Sequence, residues 1–520
     1  MEKKYLPLDV SEFETMILDN YLYIDKTEYI YNLFSHGRRY FFLSRPRRFG
    51  KSLLISTLKE LFLGKKELFK NLWISASDYK WQEHPVIHLD FSVIDHKTSH
   101  ELEIALARKL EKIADEHAID LSKDPTLGSK LETLVVELAK KNKVVILVDE
   151  YDKPILDHIK NFEESEKQRE VLKSFYDVIK GLGLYLRAFF VTGVSRFSKT
   201  SLFSGLNNLD DISLDPEAAQ LLGYTQKEME ENLSPYLQDF AEEKNISPRE
   251  LMLELKKWYD GYRFTEKEIY IYNPFSVLYA LSKKKFANYW YQSGTPTFLI
   301  HLIENQYDTI EDIDKIEFSQ ESLGNFAINK IPLISLLFQT GYLTISDYDE
   351  KTNKFKLNFP NFEVERSFTR FFVETLTHAS HAIFNRLSSQ LINALNNNDI
   401  EEFCSVLKTL FAHIPYPLIK REDYYHILFQ FLLSLLSLEA QSEIMTNKGR
   451  IDLVLSTRTH DYIFELKLNA SPEDALAQIK QLGYYERFLH RGKKVVLVGL
   501  AFTPKGDQLH LEYIQEFITR

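Results

Sequence analysis

Apolar and polar positions alternate between two periods along this chain, and the switches between them mark its elements. Short apolar runs (Tyr40 to Leu43, Val144 to Val148, Leu186 to Thr192) are too short for typical helices and read as strands, the last two buried; Val86 to Asp90 reads as another strand. Between them lie runs with apolar residues at three- and four-residue spacing: Leu53 to Leu63, His100 to His117, Lys130 to Lys141 and Glu170 to Leu182. Strands alternating with helices predict a mostly parallel sheet covered by helices on both faces. From Asp215 to about Lys330 the pattern turns helical, with dense aromatic landmarks that read as core and turn packing. A helix over Ile331 to Phe338, then two strands joined by the polar link Asp347 to Asn353, is compatible with a winged helix. Helices fill most of Asn361 to Phe411, and Pro415-Tyr416-Pro417 reads as a break before a last α/β region. The expected domains are 1–214, 215–360, 361–418 and 419–520.

Composition narrows this little. The chain has 520 residues, enough for several domains, and a formal charge of −11 that argues against a generally basic nucleic-acid coat but not against a local basic channel. A single cysteine, Cys404, excludes an intrachain disulfide and a cysteine-based zinc site; it reads as a small buried residue and suits a reducing cytosol. No apolar core follows the charged first residues, and the most apolar stretch, Ile427 to Leu438, is too short to span a bilayer. The expectation is a cytoplasmic protein with no membrane partner.

Chemistry enters at Arg45-Pro46-Arg47-Arg48-Phe49-Gly50-Lys51-Ser52, placed between the first strand and the helix after it. Strand, loop and helix in this order make a phosphate-binding loop. Gly50 lets the backbone approach a phosphate, Lys51 supplies charge to the outer phosphates, Ser52 is placed for Mg²⁺, and Arg47 lies within the loop. The pattern asks for glycine at its first position, where this chain has Arg45. About a hundred residues on, Val144 to Val148 ends in Asp149 and Glu150 at the strand's C-terminal end. Asp149 would hold Mg²⁺ through water, and Glu150 would polarise an attacking water. Each motif alone also fits a basic or an acidic turn; the two in this order favour ATP or GTP. The strand Leu186 to Thr192 runs into Gly193-Val194-Ser195-Arg196, where Thr192 or Ser195 could sense the terminal phosphate and Arg196 neutralise its charge, unless this is a plain surface turn.

A second chemistry lies near the other end. Gly449-Arg450-Ile451-Asp452 opens a strand, a polar link follows, and Tyr462-Ile463-Phe464-Glu465-Leu466-Lys467-Leu468 is the next strand. Side chains alternate, so Ile463, Glu465 and Lys467 share one face, and a hairpin would bring Asp452 beside Glu465. Two carboxylates and a lysine on a buried face suit Mg²⁺ or Mn²⁺ and phosphodiester hydrolysis; on an exposed face they are merely solvated. A helix over Ala475 to Phe488 repeats Gln478, Gln481 and Tyr485 at helical spacing, and with Tyr484 these face either a nucleic-acid backbone or water.

Residues 1 to about 300 resemble the AAA-ATPase-like family. The marks are Tyr-Ile-Asp-Lys-Thr at 23–27, the loop at 45–52, Asp-Glu-Tyr-Asp-Lys-Pro at 149–154 and Trp-Tyr-Asp-Gly-Tyr-Arg-Phe at 258–264. In that family the missing first glycine is a trait. The last hundred residues resemble the PD-(D/E)XK nuclease superfamily through Gly-Arg-Ile-Asp at 449–452, Glu-Leu-Lys at 465–467, and Ala-Gln-Ile with the tyrosines after it. The resemblance implies Asp452 and Glu465 as metal ligands and Lys467 as the catalytic lysine. It also implies a further ligand from the preceding helix: His426 in Tyr424-Tyr425-His426, with Glu443 as the alternative. The expected fold is a P-loop NTPase with a helical middle region and a restriction-endonuclease-like α/β domain. The expected function is an ATP-regulated, Mg²⁺- or Mn²⁺-dependent DNA nuclease, in defence or mobile-element biology, with a homo-oligomer left open. The alternatives are a nucleotide-driven switch that binds nucleic acid or a partner without cleaving, and a plain scaffold.

Overall fold

A computed structural model describes residues 3–35, 37–196, 202–203, 205–206, 208–292, 299, 303, 317–324, 332–412, 422–440, 443–446, 453–457, 459–490, 492–505 and 508–518. Packing divides the chain into two units: the first holds the described residues to 292 and from 317 to Val364, the second Leu299, Ile303 and those from Glu365 onward.

The first unit is built on five parallel strands, β1 (Tyr40–Ser44), β2 (Val86–Asp90), β3 (Val144–Asp149), β4 (Leu186–Gly193) and the short β5 (Asp210–Asp211). Their order across the sheet is β2-β3-β4-β1-β5, and every pairing is parallel. β1 and β3 are buried at every position, which is why they read as unbroken apolar runs rather than alternating ones. Helices Lys51–Phe62, Ser99–Glu116, Leu127–Ala139 and Phe162–Gly181 cover the sheet, each with an apolar stripe. Thr98, Thr126 and Asn161 cap the last three by accepting a backbone N–H in the first turn. The last helix starts eight residues before the expected Glu170, because Asn161 supplies its cap.

The region after Asp215 is helical as expected, and Met229, Leu237, Phe240 and Leu255 join its core around Ile24 from the N-terminal segment. Helix Leu333–Thr340 is followed by a hairpin of β7 (Thr344–Asp349) and β8 (Lys354–Asn358), with β6 (Glu317–Ser319) on the other side of β8.

Helix Phe362–Thr377 has its first residues in the first unit; in the second unit the rest of it and helices His381–Asn396, Ile400–Phe411 and Glu422–Ala440 precede a mixed five-stranded sheet. Its strands are β9 (Glu443–Thr446), β10 (Leu453–Ser456), β11 (His460–Leu468), β12 (Lys494–Lys505) and β13 (Gln508–Ile518), ordered β13-β12-β11-β10-β9. Only β11 and β12 run parallel, and helix Pro472–Leu482 makes the crossover between them. The expected helix over 475–488 is corrected here. It ends at Leu482, Gly483 takes the left-handed conformation with φ 66°, and Tyr484–Phe488 forms a separate 3₁₀ turn. Tyr485 therefore does not continue the Gln478–Gln481 face; it packs on the Phe488 cluster. Among the described residues no helix is long and apolar enough to cross a membrane. Pro415 to Pro417 lie outside the described residues.

Candidate nucleotide and metal sites

The loop at 45–52 leaves the C-terminal end of β1, and the helix that follows starts at Lys51 behind Gly50, whose φ of 92° is open to glycine at little cost. Arg45 accounts for the missing first glycine. Its guanidinium is almost fully buried, donates to the carbonyls of Ser44 (2.9 Å), Ser213 (2.6 Å) and Ala218 (3.2 Å), and lies 4.4 Å from the Phe264 ring centre. Burial lowers its pKa to about 9. Arg45 ties the loop to the segment that follows β5 and does not face a ligand.

Lys51 folds over the loop. Its buried ammonium donates to the carbonyls of Arg45 and Pro46, both at 2.9 Å. Burial lowers its pKa, and the carboxylates of Asp149, Glu150 and Asp152 oppose that shift. Ser52 is exposed in the first helical turn.

Because β4 lies between β1 and β3, its tip separates the loop from the carboxylates. Thr192 donates its hydroxyl to Asp149 Oδ1 at 2.5 Å, and the Glu150 N–H donates to the same oxygen at 3.1 Å. Glu150 has φ 52°, a conformation that costs a non-glycine residue of order 1 kcal/mol and turns the chain sharply off the strand. Burial raises the Glu150 pKa, Lys51 pulls it down, and Asp149 and Asp152 add to the rise. Ser195 is committed elsewhere: its N–H and hydroxyl both donate to Asp152 Oδ2 at 2.6 Å, and the Val194 N–H reaches that oxygen at 3.1 Å. Asp152 is fully buried and its pKa is raised by burial, against the pull of the Ser195 bonds. The hydroxyls of Thr192 and Ser195 thus hold carboxylates in place.

Arg196 crosses from the β4 side of β1 to the β5 side and meets Asp211, with Nε at 3.0 Å and Nη2 at 2.6 Å from Oδ2. Burial pushes the Asp211 carboxyl up, and Arg196 with Ser213 overrides it, leaving it below the usual range. Arg196 Nη1 is buried without a hydrogen-bond partner among the described residues. Asp152, Asp211 and the residues beneath the loop are what sequence reasoning missed, since each acts through partners distant in the chain.

Of the two remaining sequence motifs, the first is held by partners outside this loop and the second packs on it. In Tyr-Ile-Asp-Lys-Thr, Asp25 accepts the Thr27 N–H at 2.8 Å and the Trp73 N–H at 2.6 Å, while Lys26 bonds both oxygens of Glu228 at 2.6 and 2.8 Å. In the 258–264 motif, Tyr262 and Phe264 pack edge-on against Phe49 of the loop at 4.8 and 5.8 Å. Gly261 has φ 95°, and a side chain there would strike the Pro360 carbonyl.

In the second unit Glu465 is fully buried on β11, and the Lys467 ammonium lies 3.2 Å from its Oε1. Both faces of β11 are covered. Ile463 packs with Leu476 and Ile479 on one face, while Phe464 meets Phe403 and Phe429 on the other. Gly499, paired with Glu465 across the parallel ladder, lets helix Pro472–Leu482 come close: a Cβ there would lie 2.3 Å from the Pro472 carbonyl. The β10–β11 register sets Leu453 opposite Phe464. Asp452 lies outside the described residues. His426 is on helix Glu422–Ala440, Glu443 opens β9 opposite Ser456, and Tyr484 begins the 3₁₀ turn. Gln478 is half-buried on the crossover helix. Among the described residues no group of three His, Cys, Asp or Glu side chains is placed to hold a metal ion.

The family model described as Predicted AAA-ATPase matches residues 7–203, and that of the PD-(D/E)XK nuclease superfamily matches residues 420–511. An uncharacterized protein in the vnfD 5′ region of Azotobacter chroococcum mcd 1 is 34% identical over 518 residues, covering 97% of each chain. A Walker-type ATPase of Pyrococcus abyssi aligns with 70% of this chain and 97% of its own at 15% identity, with a TM-score of 0.35, too slight a likeness to bear on the fold. With an ATPase match over the loop and carboxylate strand, a nuclease-superfamily match over Glu465 and Lys467, and a relative matched along nearly its whole length, the chain belongs to the predicted AAA-ATPase family and carries a PD-(D/E)XK nuclease-superfamily domain.

Proposed function

We propose that the protein binds and hydrolyses ATP and that this cycle regulates metal-dependent cleavage of DNA by the second unit. The observation that carries the first half is the buried Lys51 ammonium held inside the loop by the Arg45 and Pro46 carbonyls, with the charges of Asp149, Glu150 and Asp152 favouring its protonated form. Lys51 is the charge that meets the outer phosphates, and Arg196 Nη1 is the donor left over for the terminal one. Glu150, kept basic enough by its raised pKa, orients and deprotonates the attacking water. Ser52 and Asp149 fit Mg²⁺, since an exposed hydroxyl and a carboxylate anchored by Thr192 are oxygen donors of the kind it takes, and bound Mg²⁺ would offset the phosphate charge. Ser195 serves as a positioning residue through Asp152.

For the second half, support comes from the burial of Glu465 beside Lys467. A buried carboxylate with a lysine ammonium at its oxygen supplies the kind of oxygen donor that a divalent cation takes. A divalent cation held by Glu465 with Asp452 would supply an activated water. Lys467 would orient that water and offset the charge on the phosphodiester. His426 is the better further ligand. The register puts Glu443 opposite Ser456 and Asp461, four residues along β11 from Glu465, about 13 Å at the strand rise. Gln478 and Tyr484 are the proposed contacts to the DNA backbone.

The test is plasmid cleavage with Mg²⁺ or Mn²⁺, with and without ATP, on wild type, Lys51→Ala and Glu465→Gln. Cleavage lost in Glu465→Gln and changed by ATP only when Lys51 is present is the expected result. ATP binding without any cleavage would leave a nucleotide switch.

A further inference from the structure

The outer side of the phosphate loop is held by residues that follow it by more than two hundred positions. The Trp290 indole N–H donates to the Arg47 carbonyl at 3.1 Å. The Trp290 backbone N–H donates to Glu363 Oε1 at 2.7 Å, and the Ser276 hydroxyl donates to Glu363 Oε2 at 2.7 Å. Trp290 and Glu363 are both buried. Beside them Gly341, with φ 91°, lies so near the loop that a Cβ would sit 2.6 Å from Pro46 Cβ.

The carbonyls of Arg45 and Pro46 are already taken by Lys51, so Trp290 completes a set in which three successive loop carbonyls each have a donor. In a planar trans peptide the C=O and the next N–H point in opposite directions. Fixing the Pro46 carbonyl therefore aims the Arg47 N–H away from Lys51, and fixing the Arg47 carbonyl aims the Arg48 N–H away from Trp290. Arg48 has φ 66°, a left-handed residue of the kind that curls neighbouring N–H groups into an anion-binding concavity.

We infer that Trp290 is a positioning residue of the phosphate site: its indole N–H holds the Arg47–Arg48 peptide so that the Arg48 N–H faces the ligand phosphates, and Glu363 holds Trp290. This rests on the nucleotide reading above. The donors it sets are backbone groups, so the ligand part concerned is the polyphosphate and not the base.

The experiment titrates ATP and inorganic tripolyphosphate, each with Mg²⁺, into the full chain by calorimetry. Trp290→Phe keeps a buried ring and removes the N–H; both Kd values should rise about tenfold, the worth of a single charge-assisted hydrogen bond. Glu363→Gln keeps an acceptor for the Trp290 N–H and should bind as wild type does, whereas Glu363→Leu should repeat the loss. Folded Trp290→Phe that binds both ligands as wild type overturns the inference, and so does a loss confined to ATP, which would place Trp290 at the base. Should Trp290→Phe not fold, hydrogen exchange of the Arg48 amide in wild type decides: Mg²⁺–tripolyphosphate must slow it, and unchanged exchange overturns the inference. Failure of wild type to bind either ligand would instead sink the nucleotide reading. Lys51→Ala losing both ligands while Trp290→Phe loses neither removes the positioning role alone.

Discussion

Glu363→Gln should stabilise the first unit, by an amount that grows with pH. Burial pushes the Glu363 carboxyl from an ordinary 4.5 up to about 8, against the pull of the Ser276 and Trp290 bonds. The groups turned toward it are Tyr259, Tyr262 and Tyr289, all neutral over the range concerned. Below pH 4.5 the carboxyl is protonated folded or unfolded and contributes no pH dependence. Between 4.5 and about 8 the unfolded chain loses the proton and the folded chain keeps it, so wild-type stability falls as pH rises, and it levels off above 8. At about 1.36 kcal/mol per pH unit, the loss is about 2 kcal/mol at pH 6 and about 5 kcal/mol at pH 8, an upper figure. Glutamine does not ionise. Its amide can still accept the Trp290 N–H, and its other end can pair with the Ser276 hydroxyl, which turns to suit. All four tryptophans (Trp73, Trp81, Trp258 and Trp290) lie in the first unit, so urea unfolding followed by tryptophan fluorescence reports on it. The difference between variant and wild type should climb steadily from pH 5 to pH 8. A flat difference, or a variant less stable than wild type at pH 8, would refute the burial argument.

Lys51→Ala removes an ammonium that makes two hydrogen bonds even without ligand, and should weaken ATP binding about hundredfold or more by calorimetry, charge-assisted bonds being worth about 1.5–3 kcal/mol each. Glu150→Gln should bind ATP and hydrolyse it about a hundredfold more slowly in a phosphate-release assay, and the wild-type rate should rise with pH through the raised Glu150 pKa as the base ionises. Glu465→Gln should lose Mn²⁺ affinity, while Lys467→Ala should keep it and lose cleavage; identical behaviour of the two in titration and cleavage would undo their separate roles. Gly499→Val drives a side chain into the Pro472 carbonyl and the Leu476 N–H and should cost the second unit about 3 kcal/mol, read as a lower calorimetric transition.

What could be read from the sequence follows from how local each cause is. β1 and β3 declare themselves because both faces are buried, so every residue is apolar until the strand tip turns polar. Glu465 and Lys467 share a face by strand alternation alone. Asp152, Asp211 and Glu363 gave no such signal, because each owes its role to a partner brought in by the fold: Ser195, Arg196 and Trp290. β13 did carry a signal, the alternation of Leu509, Leu511 and Tyr513, and Gly483 marked the helix end that the repeat of glutamines and tyrosines obscured.

Arg45 bears on how this loop can be altered. Where the general pattern has a residue chosen for having no side chain, this chain uses a long one as a bolt through three carbonyls, and the neighbouring Arg196–Asp211 pair fastens the same two-residue edge strand. An engineer restoring glycine at position 45 to match the usual motif would strip the guanidinium from all three carbonyls and leave the segment after β5 loosely attached. Repair toward consensus would here be damage. A sequence search that demands the glycine passes over a loop whose anchoring was rebuilt from a charged side chain.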